Sequence, residues 1–182
     1  MAEISKRTLR LQTLLQYLMV IFFTLIVAYL IIEYFDPIIV SGNSMKPTLQ
    51  NGDLVISTNT FDENSIEKGD IIVFIQDETQ MIKRVVATPG DEIWIENGNL
   101  YVNGEISPYQ FSEIEQAGVL TNHVFIHANE YFCMGDNHNE SRDCREFGPI
   151  KFDQIKYKVI LKNLEDINSL EDLKNILEKK EN

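Results

Sequence analysis

The sequence predicts a mainly β domain held behind one N-terminal transmembrane helix, with a short C-terminal helix. Three observations predict it. An uncharged block runs from Leu11 to Ile32, short apolar runs alternate with turn signals from there to Lys162, and a helical leucine period returns only after Ser169. Charge follows the same division. The 182-residue chain has a net charge of −12, yet residues 1–10 carry Lys6, Arg7 and Arg10 against Glu3 alone. From Glu33 on, 13 basic residues face 27 acidic ones. Nucleic acid is excluded as a partner of so acidic a chain, because phosphate binding relies on a basic patch.

The first element is the span. Its 22 uncharged residues reach roughly 33 Å as a helix at ~1.5 Å per residue, against a hydrocarbon core of about 30 Å. Val, Ile and Phe are modest helix formers in water, but in lipid only a helix satisfies its own backbone hydrogen bonds. The block ends in Ile31-Ile32-Glu33-Tyr34-Phe35-Asp36-Pro37 with no small-x-small cleavage pattern, so the span is expected to be retained. Lys6, Arg7 and Arg10 place the N-terminus in the cytoplasm and the acidic bulk outside it. The expected organisation is a cytoplasmic N-terminus (1–10), a cell-membrane anchor in the bilayer (11–35), an exoplasmic β domain (36–162) and a C-terminal amphipathic helix (163–182).

Asp36-Pro37 stops the helix. The expected strands then follow in order at Ile38–Val40, Leu54–Ile56, Ile71–Ile75, Met81–Val86, Ile93–Ile95, Leu100–Val102, Val124–Ile126, Tyr131–Met134 and Ile155–Leu161. Asn51-Gly52, Lys68-Gly69, Pro89-Gly90, Asn97-Gly98 and Asn103-Gly104 separate several of them, supplying the positive φ that tight hairpins need. Short strands at this spacing indicate a barrel or sandwich. Residues 105–122 read as a long loop. From Ser169 to Lys180, Leu170, Leu173 and Leu177 share a helical face, with acids early and Lys179-Lys180 late to suit the helix dipole.

The chemistry narrows quickly. His123 and His127 flank a strand, where i and i+4 lie about 13 Å apart at ~3.3 Å per residue, so no metal site is expected. His123, His127 and His138 read as surface or turn histidines. No cofactor motif stands out, and Cys133 and Cys144 leave open whether they pair. The candidate base is Lys83: strand alternation puts Met81, Lys83 and Val85 on one face and Ile82, Arg84 and Val86 on the other. Burial lowers a lysine pKa and can leave a neutral amine that accepts a proton, whereas a snorkelling lysine would keep its ammonium wet. The candidate nucleophile lies in Ser41-Gly42-Asn43-Ser44-Met45-Lys46-Pro47-Thr48, where a turn after a strand can expose a hydroxyl beside free backbone N–H groups.

Three segments taken together resemble the boxes of bacterial type I signal peptidases: Ser41–Leu49, Lys83–Asp91 (KRVVATPGD) and Met134–Gly148 (MGDNHNESRDCREFG), in that order behind one N-terminal span. The resemblance implies a signal-peptidase-like β-barrel or sandwich catalytic domain over roughly residues 36–162, and a Ser-Lys dyad. It makes Ser44 the nucleophile, Lys83 the general base and Ser141 the serine that orients the lysine amine. Asp143, Arg84 and Arg145 become an ionic cluster that props the site, Gly135, Asp136 and Asn137 the turn carrying the third box, and Gly42 an oxyanion position with a backbone donor. It also implies the reaction: a serine endopeptidase removing signal peptides from secretory precursors after small-x-small sites such as Ala-x-Ala, the precursor bound as an added strand.

The sequence departs from the family pattern at several points. Gly42 stands where some members have serine, Asn43 where Asp is frequent, His138 for a common Arg, Cys144 for a usual serine, and Tyr157 for a frequent Gly. Two other readings share features of the pattern. Self-cleaving repressors use a Ser-Lys dyad but lack a span; a non-catalytic anchored relative, an assembly factor for surface proteins such as pili, should have lost the serine or the lysine.

Overall fold

Residues 2–162 are described in the computed structural model, and the chain divides into two units at Asp36/Pro37. The expected C-terminal helix, 163–182, lies outside the described residues. The first unit is one helix, α1 (Ala2–Tyr34). Its stretch Arg10–Leu30 has a mean hydropathy of 2.1 and no part buried, the length and composition of a membrane span. It ends just before Asp36-Pro37, as the proline requires.

The second unit is built of β1 (Asp36–Ile39), β2 (Leu54–Thr58), β3 (Ile71–Gln76), β4 (Thr79–Ala87), β5 (Glu92–Glu96), β6 (Asn99–Val102), β7 (Glu105–Ile106), β8 (Val124–Phe125), β9 (Glu130–Met134), β10 (Ile150–Lys151) and β11 (Ile155–Leu161), with one helical turn, α2 (Cys144–Phe147). All nine expected strands are present. The two-residue strands β7 and β10 carry no apolar alternation and could not be read from the sequence. The strands form two sheets, ordered β1-β2-β11-β3-β4-β9-β10 and β7-β6-β5-β8. This is the mainly β architecture with an N-terminal helix that the sequence predicts.

Turn chemistry sets the registers. Asn97 and Gly98 have φ of 49° and 75°, the left-handed pair that closes a two-residue hairpin, and they bring Glu96 opposite Asn99. The β3–β4 hairpin uses Asp77 and Glu78 at φ of 47° and 62°, without glycine or asparagine. Its register places Ile72 opposite Lys83 and Ile71 opposite Arg84. On the other side of β4, Met134 of β9 lies opposite Arg84. The third sequence box therefore begins at the last residue of the strand beside the candidate base.

Two apolar clusters hold these elements. The larger joins Ile72, Phe74, Val85 and Phe132 of the first sheet to Ile93 and Leu100 of the second. The smaller contains Val40, Met45, Leu49, Val55 and Ile71. It fixes the Ser44 turn: Met45 and Leu49 point inward as two plugs one helical turn apart, with the Leu49 N–H donating to the Met45 carbonyl at 2.9 Å. The expected alternation along β4 fails beyond Ile82. Lys83, Arg84, Val85, Val86 and Ala87 are all buried, because β4 is covered on both faces and its pairing with β9 shifts register between Val85 and Ala87.

Leu49 is wholly buried in the smaller cluster. Leu49→Ala is expected to destabilise the protein by about 2–5 kcal/mol, read as a lowered denaturant midpoint in detergent micelles.

Candidate active site

Ser44 and Lys83, 39 positions apart in sequence, meet: Lys83 Nζ donates to Ser44 Oγ at 2.7 Å and to the Ile82 carbonyl at 2.8 Å. Lys83 is only 5% exposed, so the snorkelling arrangement does not occur. Burial pushes its pKa down from 10.5, against the weaker upward pull of Asp143 and then of Cys133, Cys144 and Asp136. Cys133 contributes little charge there, because burial foremost pushes its pKa well above the ordinary thiol range. The shift favours the neutral amine, which in contact with a hydroxyl can take its proton.

The hydroxyl lies on a groove of about 310 Å³ lined by Ile38, Val40, Ser44, Met81, Ile82 and Lys83 among others. Two strands flank it with open edges. β1 is the outermost strand of its sheet, and β9 pairs β4 only from Arg84 onward. The sheet therefore curls until its first and fifth strands face one another across the groove.

The third box closes round the dyad by backbone contacts. The Asn137 N–H donates to the Ser44 carbonyl at 2.9 Å and the Asn137 side-chain amide to the Asn43 carbonyl at 3.2 Å. Gly135 is required by close approach: a Cβ there would stand 2.5 Å from the Ser44 carbonyl oxygen and collide with Ser141 Oγ. Ser141 is thus beside the dyad, but its hydroxyl is buried and makes no hydrogen bond among the described residues. Lys83 instead donates to Ile82 and Ser44. The expected ionic cluster also differs in its pairing. Arg84 is held by Asp136, with Nε–Oδ1 at 2.8 Å and Nη2–Oδ2 at 2.6 Å, and Arg145 by Asp143, with both contacts at 2.9 Å. Asp136, expected only to shape a turn, is the partner of Arg84.

The Arg84 guanidinium also donates to the Gly69 carbonyl and Thr48 Oγ1, and it lies between the Tyr109 and Phe111 rings at 5.7 and 5.5 Å. Those aromatics come from the loop that showed no pattern in sequence. Asp143 accepts from the Gly135 N–H at 3.0 Å and caps α2 through the Arg145 N–H. The Gly42 N–H is already engaged by Asn51 Oδ1 at 2.9 Å. His138 corrects the surface reading, being 2% exposed, whereas His123 and His127 are exposed. Cys133 and Cys144 are free and buried, the Cys133 N–H donating to Cys144 Sγ at 3.2 Å. Among the described residues no three His, Cys, Asp or Glu side chains converge as a metal site.

The family model "Signal peptidase, peptidase S26" matches residues 14–162. The chain belongs to this family. Among curated proteins it is 32% identical to Signal peptidase I S of Bacillus subtilis (strain 168), over 78% of this chain and 83% of that protein. It is 34% identical to Signal peptidase I of Bacillus caldolyticus, over 74% and 82%, and 33% identical to Signal peptidase IB of Staphylococcus aureus (strain Mu50 / ATCC 700699), over 68% and 74%. A crystal structure of a signal peptidase I from Enterococcus faecalis V583 matches at 23% identity and a TM-score of 0.39, over 50% of this chain and 93% of that one.

The two buried ion pairs and the surface pairs should respond differently to truncation. Asp136→Asn leaves the Arg84 charge buried without its counter-ion and is expected to cost about 3–5 kcal/mol. Arg142→Ala breaks pairs with Asp77 and Glu146 that are open to water, and should leave the unfolding midpoint unmoved. Thermal unfolding of both variants checks the contrast.

Proposed function

We propose that the chain is a membrane-anchored serine endopeptidase that removes signal peptides from secretory precursors, with Ser44 as nucleophile and Lys83 as general base. The observation that carries the reading is the 2.7 Å contact between a buried lysine amine and a serine hydroxyl on the wall of an open-edged groove. Neutral Lys83 takes the Ser44 proton as Oγ attacks the scissile carbonyl. The resulting ammonium gives that proton to the leaving amine, and the neutral amine then activates the water that hydrolyses the acyl-enzyme. The Ser44 N–H, unengaged among the described residues, is the donor for the oxyanion, since the Gly42 N–H is committed to Asn51.

The precursor lies as an extended strand between the free edges of β1 and β4, whose main chains supply hydrogen bonds of the β-augmentation kind. Small side chains at the first and third positions before the cut fit the groove lined by Ile38, Val40, Met81 and Ile82. Helix α1 spans the membrane with its basic end in the cytoplasm, which places the β domain outside and near the emerging precursor. Retention of both Ser44 and Lys83, in contact, disfavours the reading as a non-catalytic assembly factor.

Ser44→Ala and Lys83→Met are each expected to abolish cleavage of an Ala-x-Ala precursor in detergent or lipid while the unfolding transition persists; wild-type rates in either variant would refute the dyad. The lowered Lys83 pKa fixes the sign of the pH dependence. The amine must be neutral to act, so kcat/KM is expected to rise with pH through a value below 10.5. A profile flat from about pH 6 to about pH 10 would exclude a lysine base.

A further inference from the structure

Loop residues 107–121 are tied to the third box at several points. The Phe111 N–H donates to His138 Nε2 and the Glu115 N–H to Asn139 Oδ1, both at 3.2 Å, while Arg145 Nη1 reaches the Gln116 carbonyl. The first of these ties has a titratable acceptor, shielded from water. For Nε2 to accept, the ring must be neutral with its proton on Nδ1. The Phe111 ring then stands 6.4 Å from the imidazole and 5.5 Å from the Arg84 guanidinium. Arg84 directly follows Lys83 in β4, and His138 directly follows Asn137, whose N–H holds the Ser44 carbonyl. One imidazole is thus linked to Ser44 through Asn137, and to Lys83 through Phe111 and then Arg84.

We propose that His138 is a positioning residue for cleavage, its neutral Nε2 latching Phe111 over Arg84 and so keeping Lys83 in reacting distance of Ser44. The proposal rests on the Ser44–Lys83 reading for its effect on rate. The latch works in one protonation state. A protonated ring would set Nε2–H against the Phe111 N–H, donor to donor, and add a cation near Arg145, whose Nη2 donates to the His138 carbonyl. Asp143 and Asp136 face the ring as well. Burial foremost, then Arg145, hold the His138 pKa below 6.5, against the Gly135 backbone and the two aspartates. A base whose folded pKa lies below its unfolded one binds its proton more readily when unfolded. The latch is therefore intact at neutral pH, and its contribution is lost as pH falls below 6.5 through the folded value.

The test uses the full chain in detergent micelles, with His138→Leu and His138→Gln, the second keeping a neutral acceptor that does not titrate. Two quantities are read: kcat and KM on an Ala-x-Ala precursor at neutral pH, and amide hydrogen exchange at Phe111 at about pH 7 and about pH 5, corrected for intrinsic rates. His138→Leu is expected to lower kcat by about twofold to tenfold, the worth of one hydrogen bond, with KM little changed, and His138→Gln to recover most of that loss. Phe111 protection should fall on acidification in the wild type and hold in His138→Gln. Equal kcat in the two variants overturns the proposal, as does Phe111 protection in the wild type that is the same at both pH values. Failure of the dyad reading is separate: it appears as cleavage surviving Ser44→Ala or Lys83→Met, whatever Phe111 exchange does.

Discussion

A lysine amine kept out of water at 2.7 Å from a serine hydroxyl is the constraint on which the rest of the β domain depends. An ammonium in water would be useless as a base near neutral pH, and an ammonium in an apolar interior would be costly. Covering β4 on both faces shifts the balance toward the neutral form. That requirement explains why β4 is buried continuously from Lys83 to Ala87 instead of alternating. Asp143 and Asp136 pull the lysine back toward its charged form, more weakly than burial pushes the other way, and each is bound by its own arginine.

These two arginine–aspartate pairs also position the site. Arg84 grips Asp136 and is itself covered by Tyr109 and Phe111, so strand β4, the third box and the loop are joined at one guanidinium. Arg145 grips Asp143 while reaching the His138 and Gln116 carbonyls. Asp143 in turn holds the Gly135 N–H, and Gly135 packs on the Ser44 carbonyl. Ser44 is held from the opposite side by apolar packing, with Met45 and Leu49 buried in the smaller cluster. Ser44 therefore stands between a hydrophobic plug and a polar clamp, neither of which involves its hydroxyl.

Much of this was legible in sequence because it is local or periodic. The nine expected strands announce themselves by apolar runs between turn residues, and Asn97-Gly98 specifies its hairpin by the positive φ both residues accept. The β3–β4 turn at Asp77-Glu78 carries no such signal. Strands β7 and β10, two residues each, are defined only by the neighbours they pair with. Ser44 and Lys83 were legible through resemblance. The pairing of Arg84 with Asp136 was not, since Asp136 and Asp143 are both acids in one box and only the path of the chain decides which arginine each meets. Tyr109 and Phe111 sit in a stretch with no period, and His138 reads as a polar turn residue until the loop folds over it.

By itself the sequence determined an apolar helix long enough to cross a membrane, an acidic mainly β domain after it, and the residue types of a Ser-Lys site. The first two follow from composition and from spacings that act within a few residues or along one element, the third from the resemblance of three sequence boxes to those of a known family. The tertiary structure decided that Lys83 is dry, that its amine touches Ser44, which carboxylate pairs with which arginine, and that His138 is buried against Phe111. Each is a contact between groups distant in sequence, set by how the sheet curls and which loop covers it, and desolvation belongs to that packing, not to any residue alone.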